Sequence, residues 1–377
     1  MAGFEIFKRW IGLDKQRLSY VIVVVRPPWS IDKIKEISSY WASDAHELFD
    51  SLKEPTARQA ILKDMNWTGD MFEKAVQVTD IQFFKHFPLI GFLMNKDKIG
   101  ELRRLPNIEY VHEVPEDYGY DYLNIIKGLH WVGEPVWLSP DGTCGKSKKI
   151  DAVNMSLQPL EPYPFHEKEP MNVATRLLTE KGITVVVAAG NFGDRGDNTL
   201  NPWSVAPWVI SVGAAYPDGK RLWEKSSRGI AGDPLYHPDV VASGVDSVSA
   251  RSPEGIYDAV DPEGKYAILS GTSFATAKVS GIVALCVEFI TDQLATSPSV
   301  PEWQYTLKSQ FNARVCPIIP SPDVIKRMIE DMAVEMPMYE THEVGAGFID
   351  RDIAVKYFED FKFSNFIKVF ASAEGGE

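Results

Sequence analysis

The stretch ILSGTSFATAKVSGIVALC, residues 268–286, sets a small polar Gly271-Thr272-Ser273 directly before a run whose apolar and small residues recur at helical spacing. An exposed serine at the mouth of a buried helix has two readings. As a cap, its hydroxyl satisfies backbone N–H groups that the first helical turn leaves without acceptors. As a reactive group, the same hydroxyl lies in the positive field of a helix N-terminus, beside free N–H donors able to hold an oxyanion. A reactive serine also needs a base within hydrogen-bond reach and a carboxylate to orient that base. The three cysteines, Cys144, Cys286 and Cys316, are odd in number and widely spaced. Neither a disulfide framework nor a metal knuckle follows from them, and Cys286 falls inside the apolar run as a core residue. No spacing points to a metal or a cofactor.

The elements that would position such a serine have ample material to draw on. The chain has 377 residues, 45% hydrophobic and 24% charged, enough for one large core or two domains. A net charge of −13 with no basic cluster argues against a sequence-independent grip on nucleic acid. Residues 1–17 place Phe4, Phe7, Trp10 and Ile11 on one helical face, read as packing on its own domain rather than on a membrane surface. The apolar run Tyr20–Val25 is too short for a signal peptide and leads into Arg26-Pro27-Pro28. No stretch is read as long enough to span a membrane. A reducing, cytoplasmic setting is expected.

Along the chain, SYVIVVV is a β-branched strand closed by Pro27-Pro28, and residues 31–80 read as helices anchored by Trp41, Leu48, Met71 and Phe72. FFKHFPLIGFLMN (83–95) reads as a strand, KDKIGELRRLP as a short helix stopped by Pro106, and IEYVHEV (108–114) as another strand. This order predicts a small α+β domain with an antiparallel sheet. A composition break follows at PEDYGYD. Beyond it, YLNIIKGLHWV is an amphipathic helix, IDAVNMSL (150–157) a buried strand, and MNVATRLLTEKG a helix stopped at Gly182. ITVVVAAGN (183–191), APWVISVGAA and HPDVVASG are further buried strands. Near-continuous apolar strands alternating with helices predict a parallel sheet covered on both faces.

The segments NMSL, VVVAAGN, WVISVGA, PDVVASG, GTSFATAKVSG and GAGFID occur in the order and spacing of the subtilisin-like serine peptidases, and the chain resembles that family through residues 119–356. Upstream, SYVIVVV and FPLIGFLMNKDKIGELRRLPNIEYVHEV resemble the inhibitor-type propeptide of the same family. With the amphipathic segment (1–17) and a C-terminal tail (359–377) read from the residues, the resemblance implies a propeptide-like α+β domain with a helical insertion (18–114) and a truncated subtilisin-like parallel sheet flanked by helices (119–358). It assigns Ser273 as nucleophile and Asn191 as the side-chain donor of the oxyanion hole. It makes Ser156-Leu157 one wall of the substrate cleft, facing Ala188–Gly190. The alternatives are that Ser273 only caps a helix and Asn191 only ends a strand.

In the family the catalytic order is Asp, His, Ser, with Asp ending the first strand and His opening a helix marked His-Gly-Thr-His. Propeptide-like IEYVHEV ends at Val114 and the helix preceding VNMSL begins near Tyr120, which leaves no room for either. No His-Gly-x-His occurs anywhere in the chain. Of the seven histidines, His46 and His86 fall in the propeptide-like part, His130 on a helix that faces the propeptide in the family, His166 in a loop, His237 at a strand start and His342 near the C-terminal Gly-Ala-Gly. Only His112, near the end of the strand IEYVHEV, lies where the family's order would carry it towards the cleft, and as a strand residue it is read as facing solvent. Two more departures concern the cleft itself. Ala277-Lys278 stand where the family has Pro-His, and Gln158-Pro159 where it has paired glycines. Proline removes an N–H that would pair with an extended peptide.

The reading is a serine peptidase homologue that keeps Ser273 and Asn191 but lacks Asp and His, inactive alone and serving as a binding or regulatory module. The alternatives are one half of a split endopeptidase, completed by a partner chain and acting on polypeptides, or an active peptidase with an unrecognised base. Losing the Asp and His segment would leave the sheet ending in an exposed strand, to be covered by residues 31–80 or by another chain.

Overall fold

The computed structural model describes residues 18–25, 82–83, 87–106, 108–114, 119–133, 150–253, 257–296 and 320–361. The amphipathic segment 1–17, the helices expected over 31–80, and Cys144 and Cys316 lie outside these residues. The chain divides into two compact units, one of Met1–Glu134 with Glu167–Ala174, the other of Pro135–His166 with Thr175–Glu377.

In the first unit, β1 (Leu18–Val25), β2 (Gln82–Phe83), β3 (Leu89–Asn95) and β4 (Ile108–Val114) form an antiparallel sheet in the order β2-β3-β1-β4, with the short helix α1 (Ile99–Leu102) between β3 and β4. The single strand expected over 83–95 is two strands. Pro88, which has no N–H to give a ladder, sits just before β3, and its carbonyl accepts from Val25 N–H at 2.8 Å. On one face Val21, Val23 and Val25 pack with Ile90, Phe92, Met94, Ile99, Leu102, Ile108 and Val111. The alternate residues point to the other face, where Ile22 lies opposite His112 in register. Against that face runs α2 (Gly119–Val132), whose Tyr122 stacks on His112 with ring centroids 4.8 Å apart and whose His130 meets Phe87 edge-on at 5.3 Å. Both faces are therefore covered, which is why Val21–Val25 is apolar at every position rather than at alternate ones. Glu169 caps the next helix, α3 (Pro170–Glu180), by accepting from Asn172 N–H at 3.1 Å, and also accepts a hydrogen bond from the Tyr122 hydroxyl. Lys168 pairs with Glu109 of β4 at 2.9 Å.

The second unit is built on a five-stranded parallel sheet of β5 (Ala152–Met155), β6 (Thr184–Ala188), β7 (Ile210–Ala215), β8 (Val240–Ser243) and β11 (Phe348–Ile349), in the order β11-β8-β7-β6-β5. A two-stranded hairpin, β9 (Ser247–Ala250) with β10 (Tyr266–Leu269), leads into α4 (Thr272–Thr296). Every residue of β6 and β7 is buried, Thr184 and Ser211 together with their apolar neighbours. β5 departs from expectation: of the buried strand read over 150–157, four residues pair, only Met155 is buried and Asn154 is exposed. Its place at the edge of the described sheet, with β6 its neighbour there, accounts for this. The helix α3 ends as predicted: Gly182 takes φ +82° and Ile183 N–H reaches back to Leu178 O at 3.0 Å.

α4 lies across the sheet. Its Ala275, Val279, Ile282, Val283, Cys286, Val287 and Ile290 join the core with Val186, Ile210, Val212 and Val240, and with α5 (Pro322–Met332) through Ile325, Met328 and Ile329. Two further helices, α6 (Thr341–Val344) and α7 (Arg351–Asp360), flank β11 in sequence. By length and composition Thr272–Asp292, with mean hydropathy 1.6, is apolar enough to cross a membrane, against the expectation that no stretch is. In this fold the buried part of that segment covers the sheet, while Leu285 is exposed. Cys286 is fully buried among them, as expected for a core residue, and burial pushes its thiol up to about 12.

Candidate active site

The carboxyl ends of β5 and β6 open beside the N-terminus of α4, the place where parallel α/β sheets form their crevices. The turn into α4 is held tightly. Gly271 N–H donates to Gly244 O at 2.9 Å, and Asp246 N–H donates to the Ser270 hydroxyl at 2.9 Å. Gly244 has to be glycine: a Cβ there would lie 2.7 Å from both Ala214 Cβ and Gly271 O. Ser273 then falls in the first turn of α4, where backbone N–H groups lack intrahelical acceptors.

Asn191 follows β6 after Ala189 and Gly190. Gly190 adopts φ +108°, and a Cβ on it would meet Ser227 Oγ at 2.8 Å, so the turn that delivers Asn191 requires glycine twice over. The Asn191 Oδ1 accepts from both Thr272 N–H and Thr272 Oγ1–H, each at 2.9 Å. A backbone N–H can only donate, so this contact fixes which end of the amide is oxygen. The Nδ2 group is thereby left as the donating end of the amide.

Ser156 and Ser273 are joined reciprocally. Ser156 Oγ donates to Ser273 O at 2.8 Å and Ser273 Oγ donates to Ser156 O at 3.3 Å. Asn154 Nδ2 donates to Ser156 Oγ at 3.0 Å, and Ser280 of α4 donates to Asn154 Oδ1 at 3.0 Å, which ties the edge strand to the helix. Leu157 is exposed, whereas Ala188 and Gly190 are buried. The structure thus gathers Ser273, Asn191 and Ser156 around the start of α4, with Leu157, Ala188 and Gly190 on the segments that carry them.

Three contributors escaped the sequence reading. Asn201, fully buried, donates through Nδ2 to both Leu157 O and Ala188 O at 2.8 Å, stapling the two segments together. Thr272 orients Asn191. Gln158, visible in the sequence only as a departure from glycine, reaches across with its Oε1 to accept Asn191 N–H at 2.7 Å. Nothing in the local pattern around Asn201 announces a role, because its partners are 44 and 13 residues away.

Among the described residues no imidazole, carboxylate or amine hydrogen-bonds to Ser273. His237 binds Pro238 O and Pro234 O, and His342 lies between Asp197 (3.5 Å) and Glu340 (3.4 Å). His166 is exposed, and His46 and His86 lie outside the described residues. His112 does not face solvent as expected. It is packed on Tyr122, and burial holds its imidazole down to about 4. Lys278, at the family's histidine position, donates to Ser243 O (2.8 Å), Ser243 Oγ (3.2 Å) and Ser247 Oγ (3.1 Å), and burial lowers its pKa. No group of three or more His, Cys, Asp or Glu among the described residues is placed to hold a metal.

A parallel sheet crossed by one long helix, with a serine in that helix's first turn and the carboxyl ends of two adjacent strands beside it, is the α/β architecture of the subtilisin-like class. The sequence model of the subtilase family matches residues 113–311, more than half of the chain, and the chain belongs to that family. It is 33% identical over 177 residues to the serine protease AprX of Bacillus subtilis, covering 44% of this chain and 38% of that protein. It is also 33% identical over 206 residues to an intracellular serine protease of Paenibacillus polymyxa, covering 54% of this chain and 50% of that protein. The chain therefore spans half or less of the length of these relatives. Among solved structures, the self-cleaved protease domain of PatA is similar at 20% identity and a TM-score of 0.41, covering 65% of this chain and 71% of that one.

Proposed function

We propose that this chain is a subtilisin-type serine peptidase homologue whose Ser273 and Asn191 hold the nucleophile and oxyanion positions while the Asp and His of the triad are missing, so that the isolated chain is inactive and serves as a binding or regulatory module. The observation that carries the reading is the pair of contacts around Ser273. Asn191 is oriented by Thr272 with its Nδ2 free to donate, but the Ser273 hydroxyl gives its hydrogen to a backbone carbonyl, which cannot take up a proton. In a peptidase the hydroxyl would attack a peptide carbonyl, a base would accept its proton, and Asn191 Nδ2 with Ser273 N–H would hold the oxyanion. Without the base, turnover falls by about a millionfold in enzymes of this type.

In this reading the antiparallel domain of residues 18–114 is a propeptide-like domain that stays attached, because the triad that would cut it is missing. A cytoplasmic setting belongs to the same reading. Intact mass of the purified chain tests it. The expected result is a single full-length species, unchanged by Ser273→Ala; a fragment beginning near Pro115, lost in that variant, would overturn it.

A second reading, one half of a split endopeptidase, is favoured by the position of β5 at the edge of the described sheet next to an ordered Ser273–Asn191 site. A partner chain bringing an Asp and a His would complete the triad for a polypeptide substrate. A fluorophosphonate would then label Ser273 only when both chains are present. Labelling of the isolated chain would instead reveal an unrecognised base.

A further inference from the structure

The crevice beside Ser273 is crossed by a side chain that belongs to neither the nucleophile nor the oxyanion donors. Gln158 leaves the segment that follows β5, and its Oε1 accepts the backbone N–H of Asn191, on the segment that follows β6, at 2.7 Å. Both segments are already pinned, because the buried Asn201 holds Leu157 O and Ala188 O with one amide nitrogen at 2.8 Å each. The gap between them therefore cannot widen without breaking those bonds. Pro159, buried and next in sequence, restricts the backbone from which Gln158 projects.

A carbonyl poised for Ser273 must lie about 3 Å from its Oγ, with its oxygen towards Asn191 Nδ2 and the Ser273 N–H. Ser156 is bonded to Ser273, and Asn191 to the Thr272 that precedes it, so the segments after β5 and β6 both meet the start of α4 beside that point. The residue that carries the carbonyl consequently has the gap between residues 156–158 and 188–191 as the place for its side chain. Gln158 already spans that gap. We infer that Gln158 is a specificity-determining residue that limits this pocket to glycine- or alanine-sized side chains, whether the cleft only binds polypeptide ends or, completed by a partner, cuts them. The inference rests on the cleft reading of Ser273 and Asn191 above.

Acetylated tripeptides with a free C-terminal carboxylate, ending in Gly, Ala, Leu or Phe, test it without needing any base, because the carboxylate sits at the oxyanion donors and the helix N-terminus. Calorimetry on the full chain should show the Ala-ended peptide binding at least tenfold more tightly than the Leu- and Phe-ended ones. Gln158→Ala, with Gln158→Ser as the second variant, should tighten the Leu- and Phe-ended peptides at least tenfold and change the Ala-ended one by less than threefold. If the wild-type chain binds Phe- and Ala-ended peptides equally, Gln158 sets no limit and the inference falls while the cleft stands. If no peptide binds the wild type or either variant, and Asn191→Ala behaves the same, the cleft reading itself falls and takes the inference with it.

Discussion

Two asparagines end up beside the same pair of strands with opposite tasks. Asn191 uses its oxygen, accepting two hydrogen bonds from Thr272 and leaving its nitrogen as the donating end. Asn201 uses its nitrogen, donating to the carbonyls of Leu157 and Ala188, while its oxygen accepts Trp203 N–H at 3.1 Å. Because Asn201 is wholly buried, its loss leaves carbonyl groups without partners, each costing about 1–3 kcal/mol. Asn201→Ala should therefore lower stability in urea denaturation by about 1–3 kcal/mol. Asn201→Asp should cost more, since it sets a carboxylate against two carbonyl oxygens. An alanine variant as stable as the wild type, or an aspartate variant no worse than alanine, would show that the staple contributes nothing.

Glycines along α4 and its approach separate helix propensity from close packing. Gly281 lies on the exposed side of α4, and a Cβ there meets no described atom within 4 Å. Gly281→Ala should stabilise the chain by about 0.5–1 kcal/mol, because alanine loses less backbone freedom in a helix. Gly244→Ala should do the reverse, by about 1–3 kcal/mol, because its Cβ would press on Ala214 and Gly271 and part β8 from the start of α4. The same change should weaken tripeptide binding at Ser273, since the turn that Gly244 supports presents that residue. Thermal unfolding and calorimetry of the two variants side by side check both signs. Destabilisation by Gly281→Ala would point to a neighbour packed on that face.

At the scale of the whole molecule, the two units should respond differently to acid. His112 is packed on Tyr122 in the first unit, and its folded pKa of about 4 lies below the ordinary 6.5. Between those values the unfolded unit takes up a proton that the folded one does not, so stability falls as pH drops from about 6.5 to about 4 and is unaffected above that window. The full effect is about 3 kcal/mol, the free energy that separates proton affinities set at 6.5 and at about 4. Hydrogen exchange of β1 and β4 peptides should therefore accelerate across this range, and His112→Phe should flatten the response. Exchange rates independent of pH after correction for intrinsic chemistry would show that His112 is protonated without penalty.

Much of this was legible in the sequence because it depends on local pattern. The β-branched runs at 21–25 and 184–188 and the small and apolar run at 210–215 are buried at every position, the small-residue run after Ser273 is a helix, and Gly182 ends the helix before it. The parallel sheet and the family follow from the order of those segments. What the tertiary structure alone decided is where residues far apart in the chain meet. β5 reads in sequence like its buried neighbours, yet its place at the edge of the described sheet leaves Asn154 exposed, and strand order is not encoded in any one strand. His112, read as facing solvent, is packed because α2 folds back over the sheet and brings Tyr122 onto it. Gln158 and Asn201 have no distinguishing periodicity, because their hydrogen bonds run to segments 33 and 44 residues away. Polar side chains that tie distant backbones leave no local trace, since the group each one satisfies is created only when the chain closes on itself.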